Sequence, residues 1–189
     1  KGHAEVAKLL ILDGKVESVD TPDENGNTPL IKAAQKGHAE VAKLLILDGK
    51  AESVDTPNEN GNTPLIAAAQ EGHAAVVERL LAHAGVDADR ADQVGRTPLW
   101  MAAKNNHEAT VRLLLAHPAV DAERAAQDGT TPLLAACLTC STAAALALLE
   151  AKADPSARNN FGDSPLVAKC MLGLCGCLQH TLLGARRRH

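Results

Sequence analysis

The sequence predicts an all-α repeat solenoid, with helix–turn–helix units stacked side by side and joined by β-hairpin-like loops. Three observations point there. Gly-x-Thr-Pro-Leu occurs four times, beginning at Gly26, Gly61, Gly95 and Gly129, and a weaker copy, Gly162-Asp163-Ser164-Pro165-Leu166, follows. The five glycines are 35, 34, 34 and 33 residues apart, a period that marks stacked repeats and not one globular core. Finally, 46% of residues are hydrophobic but only 1% aromatic. Alanine and leucine must therefore make the core, as suits thin helices packed about 8–10 Å apart.

Each unit can be read element by element. Thr28 is placed to cap a helix with its hydroxyl, and Pro29 sits at the first helical position, where a missing N–H costs nothing. The small pairs Ala33-Ala34, Ala68-Ala69, Ala102-Ala103 and Ala136-Cys137 let a neighbouring helix approach closely. Gly37 supplies the left-handed residue that ends this short helix. A second helix is predicted from near His38 to about Asp48. Its Val41, Leu44 and Leu45 fall on one face at i, i+3, i+4. Burying one Leu contributes about 1.5–3 kcal/mol, so the Leu pairs of the second helices dominate the predicted stability. Gly49 stops that helix. The polar stretch from Glu52 to Gly61 reads as a hairpin with Asn60-Gly61 near its tip.

The recurring order Thr-Pro-Leu, two small residues, Gly-His (Gly37-His38, Gly72-His73, with Asn106-His107 in the third unit) and a Leu-rich helix resembles the ankyrin repeat. The resemblance covers nearly the whole chain. It divides the sequence into a partial repeat at 1–22, full repeats at 23–57, 58–91, 92–125 and 126–158, a degenerate cap at 159–183 and a basic tail at 184–189. Residues 1–31 match residues 36–66 except at Val16/Ala51 and Asp23/Asn58, so the array is a recent duplication or a designed one. Lys1 aligns with Lys36, partway through a unit. The chain is therefore read as an excerpt of a longer protein, in which helix 3–12 exposes part of Val6, Leu9 and Leu10.

What the resemblance implies about function is an interaction surface without chemistry of its own. In ankyrin-like stacks the hairpin tips and the exposed side of each first helix line a concave groove that binds a protein partner. Carried over, the tip positions are Glu24, Asn25 and Asn27; Glu59, Asn60 and Asn62; Gln93, Val94 and Arg96; Gln127, Asp128 and Thr130; and Asn160, Phe161 and Asp163. The helix side adds Gln35, Lys36, Gln70, Glu71, Lys104, Asn105, Leu138 and Thr139. Trp100 and Met101 stand out. Trp100 occupies the slot of Ile31, Ile66, Leu134 and Val167, so the sequence supports either inter-repeat packing or a groove anchor. Phe161, the other aromatic residue, sits at a tip where other units are polar.

The chain also departs from the family pattern. The His of Thr-Pro-Leu-His is replaced by apolar residues, which predicts turns held by packing and so a looser turn geometry. The recurrent His38, His73 and His107 read as structural hydrogen-bonders, and His83 and His117, near the ends of second helices, as residues that interact favourably with the helix dipole. Cys140 replaces the turn glycine, and because a Cys disfavours the left-handed region the turn there is expected to change shape. Lys169 and Cys170 stand where earlier units have small residues, which suits a solvent-facing cap. Some ankyrin proteins are hydroxylated at a hairpin Asn, but the matching slots here hold Asp20, Asp55, Asp89, Glu123 and Ser156.

Other function classes find little support. The net charge of −4 argues against a specific nucleic-acid binder. No apolar run approaches a membrane span. No small-molecule substrate or cofactor is implied, since the phosphate-loop, metalloprotease and nucleophile-elbow motifs are all missing. An odd count of five cysteines fits a reducing, intracellular compartment, cytoplasmic or nuclear. Two rival readings stay open. One is a regulatory segment of a larger kinase or ubiquitin ligase. The other is a metal or redox site at Cys137, Cys140, Cys170, Cys175, Cys177 and His180, opposed by the use of Cys137 and Cys170 as core fillers. A monomer is expected, with self-association through the open N-terminal face as the other possibility.

Overall fold

The computed structural model describes residues 20–47 and 54–165. The expectations for helix 3–12, Lys169, the later cysteines and the basic tail lie outside these residues. Among the described residues there are eight helices and no strand: α1 (Pro29–Gln35), α2 (Ala39–Leu47), α3 (Pro64–Glu71), α4 (Ala74–Leu81), α5 (Pro98–Lys104), α6 (Glu108–Leu115), α7 (Pro132–Leu138) and α8 (Thr142–Glu150). First helices stack α1 on α3 on α5 on α7, and second helices stack α2 on α4 on α6 on α8. The fold is an all-α repeat solenoid of two helical layers.

The first helices start as their sequence dictates. Thr28, Thr63, Thr97 and Thr131 are extended, and each hydroxyl accepts the backbone N–H three residues on, at 3.3, 3.2, 3.1 and 3.3 Å. They stop at left-handed residues: Gly37, Gly72, Asn106 and Cys140 have φ of 70°, 74°, 61° and 57°. Cys140 thus keeps the common turn, against the expected change of shape. The N–H of Ser141 still bonds the carbonyl of Ala136 at 2.8 Å, as His73 bonds Ala68 at 3.0 Å.

The turn residue and its neighbour one repeat on are coupled by space. A Cβ on Gly72 would lie 2.3 Å from the His107 ring, and one on Gly37 would lie 2.6 Å from the His73 ring. Where Asn106 takes the glycine slot, the next unit carries the small Ser141 instead of His. Each His is a tie to the preceding repeat: His73 Nε2 lies 3.2 Å from the Gln35 carbonyl, and His107 Nε2 2.9 Å from that of Gln70. Ser141 repeats the tie with its hydroxyl, donating to the Lys104 carbonyl at 2.8 Å.

In the second helices the predicted Leu45 is buried, as are its equivalents Leu80, Leu114 and Leu148. The predicted Leu44 is only half-buried, as are its equivalents Arg79 and Leu113, while Ala147 in that slot is buried. One Leu per unit is fully enclosed and the next residue, Leu81, Leu115 or Leu149, packs at its edge. Thr110 takes the slot of Val76; it is wholly buried and its hydroxyl has no hydrogen-bond partner. Thr110→Val is therefore expected to stabilise the fold by about 1 kcal/mol, since it removes a desolvated hydroxyl. Urea unfolding checks this, and a loss of stability would mean the hydroxyl is satisfied.

His83 and His117 each bond the backbone just after their helices. Each Nδ1 accepts the backbone N–H two residues on, from Gly85 at 3.1 Å and Ala119 at 3.4 Å.

Candidate protein-binding face

The tips are built by a side chain that sequence reading overlooked. Asp23, Asn58, Asp92 and Asn159 each use Oδ1 to accept two backbone N–H groups, two and four residues on, at 2.9–3.1 Å. In the fourth full unit Ala126 stands in this slot, and Asp128 accepts the Thr130 N–H instead. The signal was present as Asp or Asn three residues before four of the five tip glycines.

Successive tips then join into a ladder. The N–H of Glu59, Gln93, Gln127 and Asn160 donates to the carbonyl of Asn25, Asn60, Val94 and Asp128, at 3.3, 3.3, 3.0 and 2.8 Å. The side-chain amides of Gln93, Gln127 and Asn160 donate to the carbonyls of Glu59, Gln93 and Gln127. The turns are hydrogen-bonded throughout this stretch, not loosened by the loss of the family's His. The amides of Gln93 and Gln127 are committed to this ladder.

The remaining candidate residues divide by burial. Asn27, Trp100, Met101 and Thr130 are buried. Asn27 bonds Asp23 and Asn58, so it shapes the turn and does not face outward. Trp100 is 8% exposed, and its indole N–H donates to the Thr130 carbonyl at 3.1 Å. It packs with Ile66, Met101, Ala126 and Ala135, the packing reading of the two the sequence supported. Asn62 and Arg96 are half-buried. Glu24, Asn25, Glu59, Asn60, Val94, Asp128 and Phe161 are exposed, as are Glu71, Lys104 and Asn105, with Gln70 partly so. Phe161 is 78% exposed.

The structure brings several of these together. Gln70, Glu71, Arg96, Met101, Lys104, Asn105 and His107 line one open hollow between tip and first helix. Asn105 donates to the Gln70 carbonyl at 3.0 Å, beside the His107 tie. The Arg96 guanidinium lies 5.8 Å and the Lys104 ammonium 5.4 Å from the Trp100 ring centroid, within cation–π range. Arg96 is also paired with Asp92 at 2.7 Å, and that carboxylate is almost wholly buried.

On another edge, charged pairs bridge consecutive loops at the hydroxylation-type slots. Arg90 meets Asp55 and Arg124 meets Asp89, both at 3.0 Å. The 34-residue step between these arginines was readable and was missed. In each pair the other carboxylate oxygen is buried without a hydrogen-bond partner. Burial pushes both carboxyls above the usual range, and the arginines offset this only in part. The charges of Asp87 and Asp121 push the same way. A raised folded-state pKa means the native chain holds protons that the unfolded chain has released. Stability from these groups is present at low pH and lost as pH rises from about 3.8 through the folded-state values. Asp23 and Asp154 are shifted down by hydrogen bonds from Lys32 and Ser156, so they act below that window. The variant carrying Asp55→Asn and Asp89→Asn is expected to gain more over the parent at pH 7 than at pH 4.5 in urea unfolding; an equal gain would show that the carboxyls are not strained.

Among the described residues no three His, Cys, Asp or Glu side chains are grouped to hold a metal, and neither the half-buried Cys137 nor the exposed Cys140 is in a disulfide. No helix there is long and apolar enough to cross a membrane.

The family model for ankyrin repeats (3 copies) matches residues 1–92 and 80–159. The chain belongs to the ankyrin repeat family. Ankyrin repeats are generally protein–protein interaction modules, and the family is typically non-catalytic. No curated protein sequence matches the chain.

Proposed function

We propose that this chain binds a protein partner along the concave groove formed by its tips and first helices, and that it performs no catalysis. One observation carries the reading. Every tip hangs on the same hydrogen-bonded ladder, yet the outward residue at one equivalent position is Asn25, Asn60, Val94, Asp128 or Phe161. A rigid frame that presents changing chemistry is what a recognition surface requires. The exposed Phe161 adds apolar area at a place that gives the fold nothing to pack. Fold alone does not assign function, so the reading rests on these side chains.

The test is affinity capture from cell extract against a bait carrying Glu59→Lys, Val94→Asp and Phe161→Ser. These residues are exposed, so the bait folds, as circular dichroism would verify. A partner held by the parent and lost by the variant supports the groove. Equal capture by both baits would move recognition to another surface.

A further inference from the structure

The outward chemistry of the tip-and-helix face is ordered along the stack. The first two described tips offer the carboxylates of Glu24 and Glu59. The middle carries Arg96 and Lys104 around Trp100. Apolar groups begin at the same middle tip, where Val94 is 46% exposed, and continue in the later units with Leu138 at 44% and Phe161 at 78%. Leu138 occupies the slot of Lys104 one repeat on.

The two central cations are not equivalent. Arg96 spends its Nε and one Nη on Asp92, at 2.7 Å each. That pair is internally neutral. Lys104 is exposed, and among the described residues it makes no ion pair. Its ammonium is held over a buried ring whose indole is itself fixed to Thr130. The equivalent residues in the other units are Gln35, Gln70 and Leu138, so this is a charge that one repeat adds to the face. The Glu71 carboxylate lines the same hollow but accepts the Gln70 amide and makes no ion pair with Lys104, so the positioned ammonium is open to an outside acid.

We propose that Lys104, seated on Trp100, receives a carboxylate side chain of the protein partner, and that Leu138 receives an apolar residue beside it. The proposal rests on the groove-binding reading and names the partner's chemistry. A carboxylate fits better than a phosphate, because the arginine that would give a bidentate phosphate contact is already engaged by Asp92. Neighbouring first helices stand about 8–10 Å apart, and an extended chain rises about 3.3 Å per residue. The acidic and apolar residues should therefore be about three positions apart in the bound segment.

Selection from a phage-displayed library of random dodecapeptides tests this, with the whole chain as bait. Enriched peptides are expected to carry Asp or Glu with a large apolar residue about three positions away. Lys104→Glu should weaken a resynthesised peptide about five- to tenfold, because an attraction becomes a repulsion. Lys43→Glu, on the exposed side of α2, should leave it unchanged. Replacing the peptide's acid by Gln should abolish the difference between parent and Lys104→Glu. Tighter binding of a phosphoserine version would overturn the carboxylate assignment. Peptides lost with Phe161→Ser but lacking an acid bias would sink this proposal and leave the groove reading intact. Peptides indifferent to every groove variant, or an empty selection, would sink both.

Discussion

Gly72→Ala is expected to destabilise the array by about 2–3 kcal/mol, far more than a surface turn substitution. Two costs add. The residue sits at φ 74°, a left-handed conformation that costs an L side chain about 1–2 kcal/mol. The new Cβ would also lie 2.3 Å from the His107 ring. The ring must move, and it then gives up its 2.9 Å contact with the Gln70 carbonyl, a further loss of about 1 kcal/mol. Urea unfolding followed by circular dichroism measures this. A cost below about 1 kcal/mol would show that the ring yields freely.

The native chain contains its own control. Asn106 adopts φ 61° without glycine, and its forward neighbour is Ser141, not His. Asn106 also gains a bond, since its Oδ1 accepts the Ala144 N–H at 3.2 Å. Joining His107→Ser to Gly72→Ala should therefore recover the steric part of the loss and leave the backbone part. If the double variant is no better than the single one, the clash is not the cause.

These couplings mark where the sequence stopped being legible. Thr28 and Pro29 announce a helix start because the cap bond spans three residues of one chain. The recurrence of Gly37 and Gly72 likewise announces a stop. Cys140 misled because its propensity is local, whereas the turn is imposed by the packing of α7 against its neighbours and by the bond from Ser141 to Ala136. Of the predicted leucines, Leu45 is buried but Leu44 only half-buried, because i, i+3, i+4 spacing fits two adjacent faces of so short a helix, and only stacking chooses between them. The site was half legible. Glu59, Val94 and Phe161 could be placed outward from the turn pattern. That Gln93 and Gln127 would be used up between tips depends on the distance from one unit to the next, which no single unit encodes. The depth of Trp100 was undecidable for the same reason, because its partner carbonyl belongs to Thr130, one repeat away.

Trp100 joins stability to recognition, and its substitutions should separate the two. Trp100→Ala is expected to cost about 3–5 kcal/mol, the range for removing a large buried aromatic residue. It would empty the contact with Ile66, Met101, Ala126 and Ala135 and remove the indole bond to the Thr130 carbonyl, which keeps only the Ala126 N–H. Trp100→Leu should be far milder, because Leu134 already fills the equivalent slot and is wholly buried. It still loses the indole bond and the ring beneath Arg96 and Lys104. The Leu variant should therefore unfold within about 2 kcal/mol of the parent yet leave the Lys104 ammonium unseated, so that an acidic peptide binds it more weakly. Circular dichroism and urea unfolding report the first effect, and fluorescence anisotropy of a labelled peptide reports the second. If the Leu variant kept full affinity, the indole would serve packing alone and the free charge of Lys104 would need no platform. A Trp100→Ala chain as stable as the parent would mean instead that the four contacts around the ring carry no weight, and the two-layer account of the middle repeats would fail with it.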